Sequence, residues 1–332
     1  MFSSRIRVWV EELWYGNHPA RLFLWPASVG FQFVSRIRRA WLEWRRKPLS
    51  VPVIVVGNLT VGGVGKTPLV IALAQYLSAQ GLRVGIVSRG YGAHIRRFPQ
   101  CVRVEDDAQQ VGDEPKLLAL KTGCPVVIDP NRLQAVKYLL QHHQSQIIIS
   151  DDGLQHYAMP RAVEIVVIDG MRGLGSGLCL PAGPLREPAQ RLQQVNFIVV
   201  NGEQSVHTQS LQYESVYQME LQAAAPRSFT GESVSWQDIE MPCSAIAGIG
   251  NPERFFTLLK RLGVVFQPHK FADHHEFLPH ELACLQKPVI MTEKDAVKCC
   301  VFATDAMYYL PVEAKLSDEF WTQIWGHIKG LI

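Results

Sequence analysis

The sequence predicts an α/β protein: a mostly parallel sheet sandwiched by helices, a second and smaller α/β domain, and an amphipathic helical segment ahead of both. Three observations predict it. Short apolar runs rich in Val and Ile recur along the chain with helical stretches between them. A glycine-rich turn joins the first of these runs to the first helix. The opening fifty residues differ in charge and aromatic content from everything that follows.

At 332 residues the chain is long enough for about two domains. A hydrophobic share of 47% with 19% charged residues excludes disorder over most of its length and any collagen-like repeat. The net charge of +3 gives no reason to expect a nucleic-acid partner. That average hides an asymmetry. Residues 1–50 hold nine Lys or Arg against three Glu, a local +6, so the remainder carries −3. The same segment holds Trp9, Trp14, Trp25, Trp41 and Trp44, five of the eight tryptophans, beside Phe2, Tyr15, Phe23, Phe31 and Phe33. It does not read as a secretory signal, since Glu11 and Glu12 come early and no cleavage site follows. Its uncharged run, Leu22 to Val34, is shorter than the roughly 20 residues a spanning helix needs, and Pro26 and Gly30 are expected to interrupt it. Two readings stay open: a helix lying in a membrane interface with Arg36, Arg38, Arg39, Arg45, Arg46 and Lys47 facing anionic lipid, or an arm packed on the body with solvated arginines. The seven cysteines are odd in number and lack a CxxC pair. That fits a reducing compartment and argues against structural zinc. Cys299 and Cys300 read as a buried pair of small apolar residues.

From Val51 the alternation begins. Val53–Val56 reads as a buried parallel strand and Pro68–Leu77 as a helix ended by Gly81. Strands follow at 84–87, 126–128, 147–149, 165–168 and 197–200, with a helix over 132–142. Between about 202 and 241 Gln, Ser and Glu become frequent, and 215–220 alternates like a half-exposed strand. A further strand and glycine turn at 244–250, a helix at 252–262 and a strand at 288–291 form the smaller unit. The expected organisation is a basic, aromatic segment at 1–50, a nucleotide-binding domain at 51–205, a linker with β structure at 206–242 and a C-terminal α/β domain at 243–332.

The sharpest signal is Thr60-Val61-Gly62-Gly63-Val64-Gly65-Lys66-Thr67, between strand and helix, which makes the core like that of a P-loop NTPase. Gly62, Gly63 and Gly65 let backbone N–H groups converge on phosphate oxygens, and the helix that follows presents its N-terminus to the same anion. Lys66 is placed to reach the β- and γ-phosphates, and the Thr67 hydroxyl to ligate Mg²⁺. The usual pattern has glycine where Thr60 stands. The apolar strand ending in Asp151-Asp152 is the expected form of the acidic magnesium-binding element.

Further clusters narrow the reading: Gly57-Asn58-Leu59, Ser88-Arg89-Gly90-Tyr91-Gly92, Gly112-Asp113-Glu114-Pro115, Asp129-Pro130-Asn131-Arg132, Ser150 to His156, Leu180 to Pro188, Phe271-Ala272-Asp273-His274-His275, and Thr292 to Lys298. In this order they resemble the tetraacyldisaccharide 4′-kinase family, over nearly the whole chain, and that family also has Thr at the position of Thr60. The resemblance implies transfer of the ATP γ-phosphate to the 4′-hydroxyl of a tetraacyl glucosamine disaccharide 1-phosphate, giving lipid IVA in lipid A synthesis. It implies a peripheral place on the cytoplasmic face of the inner membrane, reached by the N-terminal segment without a span. It implies catalytic roles for Asp113 and His274 as an Asp–His dyad that takes the hydroxyl proton, with adjacent His275 a rival for the second place. It makes Asp151, Asp152 and Glu187 candidate Mg²⁺ ligands beside Thr67, and Arg89, Arg132 and Gln155 candidate contacts to phosphates or acceptor.

Two other classes share parts of this pattern. Partitioning-type ATPases carry GGVGKT but usually have Lys where Val61 stands. Thr292-Glu293-Lys294-Asp295 superficially matches a GTPase base-reading signal, but with the spacing wrong.

Overall fold

The structure, a computed structural model, describes residues 2–95, 97–205, 208, 213 and 215–332, and only the backbone of residues 2–5 and 7. The Phe2 side chain and linker positions 206, 207, 209–212 and 214 lie outside the described residues. In chain order, helices α1 (Phe2–Tyr15) and α2 (Ala20–Trp44) lead into β1 (Val53–Gly57) and α3 (Lys66–Ala79). Then come β2 (Val84–Ser88), β3 (Gln100–Val102), α4 (Ala108–Val111), α5 (Asp113–Thr122), β4 (Val126–Ile128) and α6 (Arg132–His143). Strands β5 (Ile147–Asp151), β6 (Val163–Asp169), β7 (Phe197–Asn201), β8 (Val216–Ala223) and β9 (Arg227–Ser228) follow. The last stretch holds β10 (Cys243–Ala247), α7 (Pro252–Arg261), β11 (Phe266–Lys270), α8 (Pro279–Ala283), β12 (Val289–Thr292) and α9 (Glu293–Cys299). It ends with β13 (Met307–Leu310), β14 (Val312–Lys315) and α10 (Asp318–Lys329).

The chain divides into two compact units that interleave in sequence: residues 1–66, 146–220 and 316–332 form one, residues 67–145 and 221–315 the other. The composition shifts at 205 and 242 therefore mark where the chain turns polar, and β8 and β9 fall within the stretch read as linker.

In the first unit β8, β7, β6, β1 and β5 lie side by side, every pairing parallel. All five residues of β1, β5 and β7 are buried, as continuous Val/Ile runs covered on both faces must be. Helix α10 closes one flank: Phe320, fully buried, meets the rings of Phe197 and Tyr217 at 5.8 and 5.3 Å. Helix α2 runs unbroken through Pro26 and Gly30, contrary to the expected interruption. Proline costs one i→i−4 bond, and here that loss falls on the exposed side, while Ser28, fully buried, donates to the Cys179 carbonyl at 2.7 Å. The helix is inverted in polarity. Its inward stripe, which includes Arg21, Leu24, Ser28, Phe31, Ser35, Arg39 and Leu42, recurs every 3.6 residues, and Arg46 just past the helix end continues the line. The opposite face shows Leu22, Phe23, Trp25, Val29, Phe33, Val34, Ile37, Trp41 and Trp44 to the outside. Arg39 and Arg46 thus turn onto the body rather than outward: Arg39 lies over the Tyr157 ring and Arg46 donates to the Tyr157 carbonyl. Arg36, Arg38, Arg45 and Lys47 remain exposed. Among the described residues, no helix is long and apolar enough to cross a membrane.

In the second unit β2 and β4 pair in parallel and β3 joins antiparallel. A separate sheet runs β11, β10, β12, β13 in parallel, with β9 antiparallel at its edge. Alternation along β10 sends Cys243, Ala245 and Ala247 to a core with Phe255, Phe256 and Leu259 of α7. Ile246 goes to the other face, with Phe277, Met291, Ala296 and Cys299. Helix α9 packs on α5. The Cys299–Cys300 pair splits: Cys299 is buried and Cys300 exposed, because the helix ends between them. All seven cysteines are free.

Candidate active site

In the first unit the loop after β1 is held from three sides. Buried Asn58 donates to the carbonyls of Thr60 and Gly62 at 2.7 and 3.2 Å. The Val61 N–H donates to Pro184 O at 2.9 Å, and Asn201 donates to Val64 O at 2.8 Å. Gly62 and Gly65 take φ of +111° and +89°, which L side chains resist. Thr60 is not among the described residues of positive φ, so its side chain costs nothing where glycine was expected. Lys66 opens α3, its Nζ 3.0 Å from Asn58 Oδ1 and 3.3 Å from Asp152 Oδ1. Asp151, buried, ends β5. Asp152 has φ +47°, a strained value for a non-glycine residue of the kind concentrated at functional sites. Its second oxygen lies 3.5 Å from Arg186.

Gln155 and Glu187 are tied to one another. Gln155 Nε2 donates to Glu187 Oε1 at 2.9 Å and to Asn58 O at 3.2 Å, and its Oε1 faces Arg186. The other Glu187 oxygen accepts from the Tyr157 hydroxyl and faces Arg191 at 3.6 Å. Arg191 in turn pairs with buried Glu164, which Arg161 also holds. Both Glu187 oxygens are thus engaged in a buried network, a position unlike that of an open magnesium ligand. Among the described residues no three His, Cys, Asp or Glu side chains converge as a metal cage. That is compatible with Mg²⁺, which is usually bound through one or two carboxylates together with substrate phosphates.

In the second unit Thr67 lies in the first turn of α3. Arg89 is exposed just after β2, and Arg132 is buried at the start of α6. Asp113 opens α5 behind Gly112, whose φ of +91° and the 3.0 Å a Cβ would leave to Tyr91 O both require glycine. Asp113 is 5% exposed, accepts from the Glu114 N–H at 2.8 Å, and faces His274 Nδ1 with both oxygens at 3.0 Å. The adjacent histidines have different partners: His275 pairs with Glu281 at 3.1 Å and packs on Phe271 and Phe277. His274 has φ +59°, again strained, and its ring lies 5.2 Å from that of Tyr91. Burial pushes the Asp113 carboxyl up, but the His274 hydrogen bond with the charges of Lys294, His274 and Lys298 holds it below the usual carboxylate value. The same hydrogen bond raises the imidazole of His274 against burial and Lys294. An ionised carboxylate only accepts, so Nδ1 carries the proton of this bond and Nε2 presents its lone pair.

Sequence reasoning quoted the motifs containing Asn58, Arg186, Tyr91, Asp273, Lys294 and Lys298 but gave these residues no role. For Asn58, Arg186, Tyr91 and Asp273 the signal was adjacency to Thr60, Glu187, Arg89 and His274; Lys294 and Lys298 had no such neighbour. What each touches is set by tertiary packing.

Known proteins resemble the chain along nearly its whole length. The model of the family described as tetraacyldisaccharide-1-P 4′-kinase, LpxK, matches residues 20–329. A tetraacyldisaccharide 4′-kinase of Legionella pneumophila (strain Corby) is 53% identical over 320 residues, covering 96% of this chain and 97% of its own. One from Nitrosococcus oceani is 45% identical, covering 94% and 91%. The crystal structure of the "apo" form of LpxK from Aquifex aeolicus in complex with ATP superposes with a TM-score of 0.75 at 27% identity, covering 93% of this chain and 99% of that one. Matched along nearly its whole length by the family model and by kinases of that name, the chain belongs to the tetraacyldisaccharide 4′-kinase family.

Proposed function

We propose that this chain transfers the γ-phosphate of ATP to the 4′-hydroxyl of a tetraacyl glucosamine disaccharide 1-phosphate, forming lipid IVA, while docked on the cytoplasmic face of the inner membrane. Residues 60–67 hold the ATP phosphates, with Lys66 on the transferred group, where its charge offsets the charge that develops during transfer. Thr67, Asp151 and Asp152 are the oxygen donors suited to Mg²⁺, and we leave Glu187 out of that set. Magnesium, when bound, supplies charge neutralisation on the phosphates. Arg89 and Arg132 are the cations offered to the acceptor's phosphate. Gln155 positions Asn58 and Arg186 rather than acceptor.

The observation that carries this reading is the Asp113–His274 pair. A switch ATPase does not need the Asp-His-His cluster, whereas a sugar hydroxyl is a weak nucleophile and needs a positioned base. Asp113 is buried and spends both oxygens on Nδ1, so the proton is accepted at Nε2 and Asp113 stabilises the imidazolium. The membrane part of the reading rests on the apolar outward face of α2, of the kind that lies in a headgroup boundary. The deciding assay supplies radiolabelled ATP and tetraacyl disaccharide 1-phosphate with and without Mg²⁺. Labelled lipid should form only with magnesium, and its absence in both would end the kinase reading.

A further inference from the structure

The motif Thr292 to Lys298 has no part in the function above, and its geometry is specific. Thr292 caps α9 by accepting the Asp295 N–H at 3.1 Å. Asp295, fully buried, accepts the Thr292 hydroxyl at 2.6 Å and the Gly248 N–H at 2.9 Å. This fixes the rotation of the helix, and one face of it then carries Lys294 and Lys298, four residues apart. Both ammonium groups converge on the same oxygen, Asp113 Oδ2, at 3.8 and 3.9 Å. Lys298 is closed on its other side by Asp295 at 2.7 Å. Lys294 spans three acids: Glu114 at 2.8 Å, Asp273 at 3.5 Å and Asp113.

We propose that Lys294 is a positioning residue for the Asp113–His274 dyad: its ammonium group keeps the Asp113 carboxylate anionic and turned to Nδ1, and keeps the imidazole from holding its proton too tightly. The inference rests on the reading of that dyad as the base. The groups that meet the dyad itself are Lys294 and Lys298 from α9, Asp273 at 3.8 Å from His274 Nε2, and Tyr91 from the turn after β2; the carboxylates of Glu114 and Asp295 meet those two lysines, and His275 turns to Glu281. Without Lys294 the carboxylates of Asp113 and Asp273 face His274 with Lys298 as the cation left beside Asp113, and an imidazolium would persist to higher pH. A lysine serving only to join α5 to α9 would be redundant here, because Lys121 and Glu293 already join those helices at 3.0 Å.

The test measures turnover against pH with saturating ATP and tetraacyl disaccharide 1-phosphate for the full chain, Lys294→Met, Lys294→Gln and Lys294→Arg. Removing a cation beside an acid makes its proton easier to hold. The acid limb of kcat should therefore move up by about one pH unit in the two neutral variants. KM for ATP should stay within about two-fold, and Lys294→Arg should restore the parent limb. Equal loss at every pH with the parent limb would overturn the proposal, as would failure of both neutral variants to fold. Asp113→Asn and His274→Gln run alongside. If these keep parent turnover, the base reading falls and takes this proposal with it. If they lose turnover while the Lys294 variants keep the parent limb, only the positioning role falls.

Discussion

Replacing Phe23 and Trp44 with Gln should detach the chain from membranes without disturbing its fold. The two side chains are 86% and 83% exposed on the outward face of α2, so almost none of their apolar surface is used in packing. Full burial of such a side chain is worth about 1.5–3 kcal/mol. A helix lying in the headgroup boundary sinks only about 5–10 Å, so about half of that is realised at each position. The pair then supplies about 2 kcal/mol, equivalent to roughly 30-fold in partition. Gln keeps helix propensity close to that of the residues replaced. The assay is co-sedimentation with vesicles of mixed zwitterionic and anionic lipid, at low and high salt, with thermal unfolding followed in parallel. The expected result is a partition coefficient lower by roughly 30-fold at an unchanged Tm. A double variant that pellets like the parent, with the fold intact, would refute the interfacial reading of this face.

Asp113→Ala should lower turnover by at least about 100-fold with ATP affinity, read by nucleotide titration, near that of the parent. Lys66→Ala should weaken ATP binding and turnover together, since it also removes a partner of Asp152, and unchanged ATP affinity would contradict the loop assignment. The imidazole of His274 is raised by Asp113, so the dyad holds its extra proton past the ordinary histidine value and cannot accept another. Turnover should therefore climb with pH along a limb centred above about 6.5, measured as kcat in overlapping buffers. Gly112→Ala puts a Cβ at φ +91° and 3.0 Å from Tyr91 O, and should cost about 1–3 kcal/mol of stability in denaturant unfolding.

The strands were legible in the sequence because the core of a parallel sheet is written as consecutive Val and Ile, and β1, β5 and β7 are buried at every position. The loop was legible because backbone phosphate binding needs glycine at fixed offsets, and Gly62 and Gly65 take the φ values that demand it. The pairing of Asp113 with His274 across 161 positions was not readable from periodicity and came only through resemblance. Pro26 misled, since proline rules describe local cost, and the buried Ser28 hydrogen bond one half-turn on holds the helix to the body. Arg39 and Arg46 misled for the opposite reason: composition counts charges without saying which side of a helix they occupy. The interleaving of the units was invisible too, because nothing in local composition reports that residues 146–220 return to the neighbours of residues 1–66.

That interleaving bears on synthesis. Helix α10 follows β1 by more than 250 residues in sequence, yet its Phe320, Ile324 and Ile328 are fully buried in the unit whose strands begin at Val53. Synthesis runs from the N-terminus, so the ribosome has emitted α2 and β1 long before Phe197 and Tyr217 receive Phe320. The first unit cannot close until α10 has been made. The outward apolar face of α2 is therefore presented by the nascent chain before the packing around Phe320 is complete.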